Sequence, residues 1–197
     1  MFVEAESKDN CNGNEGGNGR PGLAQVDDSG IGSPVGGVAV GVLDATKGEF
    51  KYKLVGVEYF QDGYRNEYQD RVAQGVRELF KEMGITKDAY RIEICSGHVF
   101  DLTRKWLDEE GYEWRPVKIV DPLQSLIENA FSDYLVSIGV PERIRTIEVG
   151  RDQFMYLFNW VRQDPEARVK YCKTNGSKWK AKWSHKLYER RGSVEKR

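Results

Sequence analysis

Three short apolar runs open the patterned part of the chain, at residues 23–26 (LAQV), 35–44 (VGGVAVGVLD) and 49–60 (EFKYKLVGVEYF). Their β-branched and aromatic content favours strands. The tight connection Thr46-Lys47-Gly48 predicts that the second and third pair antiparallel. The period then changes. Over 64–83, Tyr68, Val72, Val76, Leu79, Phe80 and Met83 recur at helical spacing, and Gly84 supplies a C-cap. Residues 90–95 (YRIEIC) return to alternation, with Ile92 and Ile94 on one face and Glu93 and Cys95 on the other. A helix at 99–110, a strand at 115–120 and an amphipathic helix at 122–138 follow, the last opened by Pro122 and closed by Gly139.

Tight connections make an antiparallel meander, whereas helical crossovers make parallel neighbours. One mixed α/β sheet with helices on its faces satisfies both halves of this pattern. Beyond Gly139 the pattern predicts a strand at 145–149 (RTIEV) and a strongly apolar helix at 151–163. Residues 1–22 are almost free of apolar side chains and rich in Gly and Asn, which predicts a disordered segment. The expected organisation is therefore a disordered 1–22, one domain over 23–165 and an extension over 166–197.

Charge changes the picture of that extension. The 197 residues carry a formal net charge of −1, yet 167–197 hold eleven Lys or Arg against two Glu. An acidic body thus carries a basic arm, and basic arms meet polyanions. No run approaches the roughly 18 apolar residues of a membrane helix, and the N-terminal residues lack a signal-peptide pattern, so a cytoplasmic protein is expected. The three cysteines, Cys11, Cys95 and Cys172, are widely spaced and fit neither a disulfide framework nor a zinc site. With two histidines in the chain, carboxylates must carry any acid–base or metal chemistry.

The densest chemistry lies at 26–40, VDDSGIGSPVGGVAV. A nucleotide P-loop would need a lysine and a following helix, and a dinucleotide fingerprint a helix directly after the glycines. Here the glycine spacing is wrong and a strand follows. The stretch resembles the first motif of type 1 ribonuclease H. Asp27 falls on the catalytic aspartate, Ser29 on the serine, Gly32-Ser33-Pro34 on Gly-Asn-Pro and Gly36-Gly37 on the glycine pair, one residue short in spacing. It is also similar to the Asp-Glu-Ala-Gly-Arg-Gly motif of type 2 ribonuclease H, in which case Asp27 and Asp28 would both serve. The resemblance covers about residues 23–138. It implies a ribonuclease H-like mixed five-stranded sheet of order 3-2-1-4-5 with helices on both faces.

It also implies a carboxylate centre binding two Mg²⁺ or Mn²⁺ for phosphodiester hydrolysis. On that reading Asp27, with Asp28 beside it, comes from the first strand and Glu67 from the first turn of the first helix, where Asp70 lies one turn later. In the fourth strand Cys95 stands where the family has aspartate. A thiol is a poor Mg²⁺ ligand, so Glu93, two residues earlier on the same face, takes the place. The last acid is Asp133, Asp121 or Asp152, in that order. The catalytic set is then Asp27, Glu67, Glu93 and Asp133, with Asp28 and Asp121 as further metal ligands.

The arm interleaves cations with aromatics, and Lys178, Trp179, Lys180, Lys182, Trp183 and Lys186 are the expected nucleic-acid contacts. Tryptophans packed back on the domain are the structural alternative. The resemblance thus implies a nuclease cutting RNA in RNA–DNA hybrids, or a structured DNA. Cys95 keeps open a ribonuclease H-like domain that has lost catalysis and binds nucleic acid or protein. An enzyme of small phosphorylated substrates would explain the acids but leave the arm idle.

Overall fold

The computed structural model describes residues 21–63, 67–176 and 179–188. Residues 1–20, most of the segment expected to be disordered, lie outside the described residues, as does Lys178. Five strands form one sheet: β1 Gly22–Ser29, β2 Val38–Asp44, β3 Glu49–Val55, β4 Tyr90–Cys95 and β5 Glu113–Val117. Their order is β3-β2-β1-β4-β5. The first three pair antiparallel, while β4 and β5 run parallel to β1. The expected α/β class and strand order are borne out.

Helices cover the sheet. α1 (Glu67–Met83) and α2 (Asp101–Glu110) lie on one face, and α3 (Leu123–Ser137) lies across β1 and β2 on the other. Alternation along β2 explains how both layers form. Val38, Val40 and Val42 enter the core beneath α1, whereas Ala39 turns toward α3. All seven β2 residues are buried, so this strand is valine-rich rather than amphipathic. Gly41 belongs to this packing: a Cβ there would sit 2.8 Å from the Phe50 ring and 2.9 Å from Ile127. Ile127, Phe131 and Leu135 are buried from α3, and truncating any of them to Ala would cost about 2–5 kcal/mol.

Several boundaries differ from the sequence pattern. β1 was expected to stop at Val26 but runs on through both acids, because β2 continues to pair with it from Asp27↔Gly41 to Ser29↔Ala39. β3 stops at Val55, and Val57–Phe60 form a 3-10 turn after Gly56. β5 ends at Val117, where its pairing with Cys95 ends, and tolerates Pro116 because it is the sheet edge. The strand expected at 145–149 is absent. A 3-10 turn over Glu142–Thr146 stands there, placing Ile144 alone in the core.

The expected helix appears as α4, Arg151–Gln163. After the short helix α5 (Pro165–Arg168) the chain lies along the glycine-rich stretch. Val35 bridges Cys172, the Gly36 amide donates to the Tyr171 carbonyl at 2.8 Å, and the Lys173 amide donates to the Pro34 carbonyl at 3.1 Å. A π-helical turn, Trp179–Trp183, and α6, Ser184–Tyr188, complete the described chain. The basic arm is thus built into the domain over much of its length. No helix among the described residues is long and apolar enough to cross a membrane.

Candidate metal centre

The candidate centre lies at the carboxyl ends of the parallel strands. β4 pairs with β1 only as far as Val26↔Ile94, so Asp27 and Asp28 stand beyond the last β1–β4 pair. Here β1 has an antiparallel neighbour on one side and a parallel one on the other. Open α/β sheets gather ligands at such switch points. Alternation sends Asp27 and Asp28 off opposite faces of β1. At this open end they nonetheless converge: one oxygen of each and the Cys95 Sγ lie within 4.8 Å of one another. The turn that follows is held close by Gly30, at φ +103°. A Cβ there would be 2.5 Å from the Phe131 ring, so glycine lets α3 settle against the turn.

The centre is electrostatically uncomfortable. Asp27 is 8 % exposed, and burial raises its carboxyl above the usual range. The Asp28 amide and the Cys95 thiol donate to it and oppose that rise, while the charge of Glu128 adds to it. Burial, with Asp27 beside it, pushes Asp28 up to about 7, against the pull of Lys173 and the Ile31 amide. Burial likewise pushes Lys173 down to about 7, with Asp28 opposing. The Lys173 ammonium donates to the carbonyls of Gly30, at 2.5 Å, and Ile31, at 3.4 Å, and lies 4.5 Å from the Phe60 ring centre. Burial pushes the Cys95 thiol up to about 11, so near neutral pH it is a donor rather than a thiolate ligand.

The other expected ligands stand elsewhere. Glu93 is level with Gln25, two residues short of Asp27, and its carboxylate accepts from Gln25 Nε2 at 2.8 Å and Arg115 NH2 at 2.5 Å. Those two partners hold its carboxyl below the usual range. Glu67 is exposed in the first turn of α1, near this end of the sheet, because Gln69 donates to the His98 carbonyl just after β4. It is outside the Asp27–Asp28–Cys95 cluster. Asp121 caps α3, accepting from Ser125 N at 3.1 Å and Oγ at 2.6 Å. Asp133 pairs with Arg145 on the far side of α3, and Asp152 is exposed on α4.

The described arm residues lie against the domain. Trp179 is buried, and Trp183 packs against Phe154 and Phe158, each with ring centres 4.9 Å away. Lys180 pairs with Asp62 at 2.5 Å. Lys182 and Lys186 lie over Trp183, at 4.9 and 5.7 Å. The tryptophans therefore pack on the α4 side of the core, where both also line a cavity.

Two residues of the centre escaped the sequence reading. Glu128 shares the α3 face of buried Phe131, three residues on, whereas Asp133 is turned roughly 160° away. That periodicity was available as a signal. Lys173 arrives from 145 residues beyond Asp28 in sequence, hidden among the arm's other cations, and no local pattern marks it. No protein-family model matches the chain, and no similar curated protein was found.

Proposed function

We propose that the chain is a cytoplasmic, metal-dependent nuclease of the ribonuclease H-like kind, hydrolysing phosphodiester bonds of nucleic acid at Asp27 and Asp28. The observation that carries this reading is the convergence of a buried carboxylate, Asp27, and a half-buried one, Asp28, at the switch point of a 3-2-1-4-5 sheet. Both are raised by burial, and nearby donors leave that burial only partly compensated. A cation there would resolve the conflict. The free thiols of Cys95 and Cys172 agree with a reducing compartment.

The donor set fits one hard cation better than two. Mg²⁺ is commonly held by one or two carboxylates, with waters and substrate phosphates filling the remaining positions. Asp27 and Asp28 are such a pair, and the protonated Cys95 adds no hard ligand. A bound Mg²⁺ or Mn²⁺ would polarise the phosphodiester and acidify a water. The chain's own groups do the rest. Cys95 and the Asp28 amide orient the Asp27 carboxylate, the Gly30 turn seats α3 beside it, and Lys173 offsets negative charge beside Asp28.

The test is cleavage of labelled single strand, RNA–DNA hybrid, duplex and branched substrates in Mn²⁺. Cleavage abolished by Asp27→Asn is expected; cleavage that survives Asp27→Asn, or none of any substrate, contradicts the proposal. A second reading, a domain that binds nucleic acid without cutting it, is favoured by Cys95 at the fourth-strand position and by Glu93 being bound up with Arg115. It predicts salt-sensitive binding that needs no metal.

A further inference from the structure

Two cavities border the turn that follows the acid pair, and they share the wall formed by Ser33 and Phe154. The first, of about 310 Å³, is lined by Gly30, Gly32 and Ser33 from the turn after β1, and by Gly150, Arg151 and Gln153 from the start of α4. α4 has 13 residues and no side chain caps its N-terminus, so its first amides are open to an anion. Gln153 is the independent sign of a ligand. It is 7 % exposed and lines this cavity, and among the described residues its side-chain amide makes no hydrogen bond. Its amide atoms are not shut away from solvent, so the unpartnered amide is free to bond a ligand in the cavity. Arg151 supplies a positive charge at the same place, while Asp152, in the same turn, is exposed and does not line the cavity.

The second cavity, of about 340 Å³, is walled by Phe60, Tyr68, His98, Trp179 and Trp183, with Lys173 in its side. Its volume is at the small end of ligand pockets, roughly 300–1,000 Å³. Flat aromatic walls suit a planar ring, and a cation beside them suits a polar edge. Ile31 and Lys173 both line this cavity and both act on Asp28, which links the cavity wall to the acid pair.

We infer that the two cavities form one subsite for a single unpaired nucleotide, with its base among the aromatic walls and its phosphate at the N-terminus of α4. The inference deepens, and rests on, the nuclease reading: the substrate is then a nucleic acid with an unstacked nucleotide next to the scissile bond. A base within a paired, stacked duplex has neither face free and would have to leave the stack to enter. The shared wall of Ser33 and Phe154 sets base and phosphate side by side, with Gly30 joining the phosphate end to Asp28 through two residues of chain.

The test needs no metal. The full chain, in buffer containing a chelator, is titrated with adenosine 5′-monophosphate, adenosine and inorganic phosphate, followed by calorimetry and tryptophan fluorescence. The monophosphate should bind at least about tenfold tighter than either part alone. Gln153→Ala and Arg151→Glu should weaken it about tenfold and leave adenosine unchanged, whereas His98→Ala should weaken adenosine and leave phosphate unchanged. Arg151 is exposed, so its variant keeps the test valid if Gln153→Ala does not fold. A monophosphate no tighter than phosphate, or indifferent to Arg151→Glu, overturns the inference. Binding without cleavage of any substrate defeats the nuclease reading alone. Cleavage of a fully paired hybrid without monophosphate binding defeats the subsite alone.

Discussion

At one end of the sheet Asp44 is fully buried, yet its carboxylate is surrounded by donors. The Tyr90 hydroxyl donates at 2.7 Å, the Thr46 and Lys47 amides at 3.0 Å each, and the Lys47 ammonium lies at 3.3 Å. Burial alone would raise its carboxyl, but these donors together hold it below the usual range. At the opposite end Asp27 and Asp28 are also withdrawn from water, but there burial wins and both carboxyls are raised. The same residue type on neighbouring strands of one sheet thus has opposite states. Burial of an acid does not mark a site by itself; what counts is whether the protein supplies enough donors to hold the charge. Asp44 is complete and structural, whereas the Asp27–Asp28 pair has too few donors to hold both charges.

The largest effect that tests this contrast is on Asp44. Asp44→Ala strips the acceptor from Tyr90, Thr46 and Lys47, and should cost about 3 kcal/mol of unfolding free energy in urea melts. Asp28→Asn should do the reverse to the metal-free protein. It removes a poorly compensated, half-buried charge and should stabilise the fold by about 1–2 kcal/mol near pH 7, while weakening Mn²⁺ binding more than about a hundredfold. A destabilised Asp28→Asn that still binds Mn²⁺ would make the two ends of the sheet alike.

The pH dependence separates them next. In the metal-free protein the folded state keeps the Asp28 proton that the unfolded chain releases. Its contribution therefore falls as pH rises from about 4 to about 7, by about 1–2 kcal/mol once solvent screening is allowed for. Lys173 has the mirror behaviour, because the folded state sheds its proton early, so stability recovers as pH rises from about 7 to about 10.5. Asp44, with its lowered carboxyl, contributes stability that is full above about pH 4 and lost as pH falls through its folded value. Thermal melts across pH should thus dip near 7 in chelator, and saturating Mn²⁺ should fill the dip. The smallest expected effect is at Cys95. Cys95→Asp adds a third hard oxygen to the cluster and should tighten Mn²⁺ about tenfold, while lowering metal-free stability.

Much of the frame could be read from the chain. The tight Thr46–Gly48 connection and the helical crossovers after β3 force a meander followed by parallel strands, and the folded sheet has that arrangement. Asp27 and Asp28 stood out because they precede a glycine turn that only a strand–turn–strand context explains. What stayed hidden depended on long-range geometry. Ligand chemistry favours Glu93 over Cys95, but register places Glu93 beside Gln25 and Arg115, and a strand cannot slide to serve two levels. Trp179 and Trp183 look alike as packing or stacking residues in a local pattern; only the position of α4 decides that they pack. Lys173 reaches Asp28 because Val35 and Cys172 pair, a contact that no local spacing encodes.

The most direct measurement is a calorimetric Mn²⁺ titration of the full chain beside Asp27→Asn, with circular dichroism confirming that both are folded. One saturable site is expected in the native chain, tightening as pH rises through 7, and it should be lost in Asp27→Asn. A native chain that takes up no Mn²⁺, or an Asp27→Asn chain that binds it equally well, would contradict it.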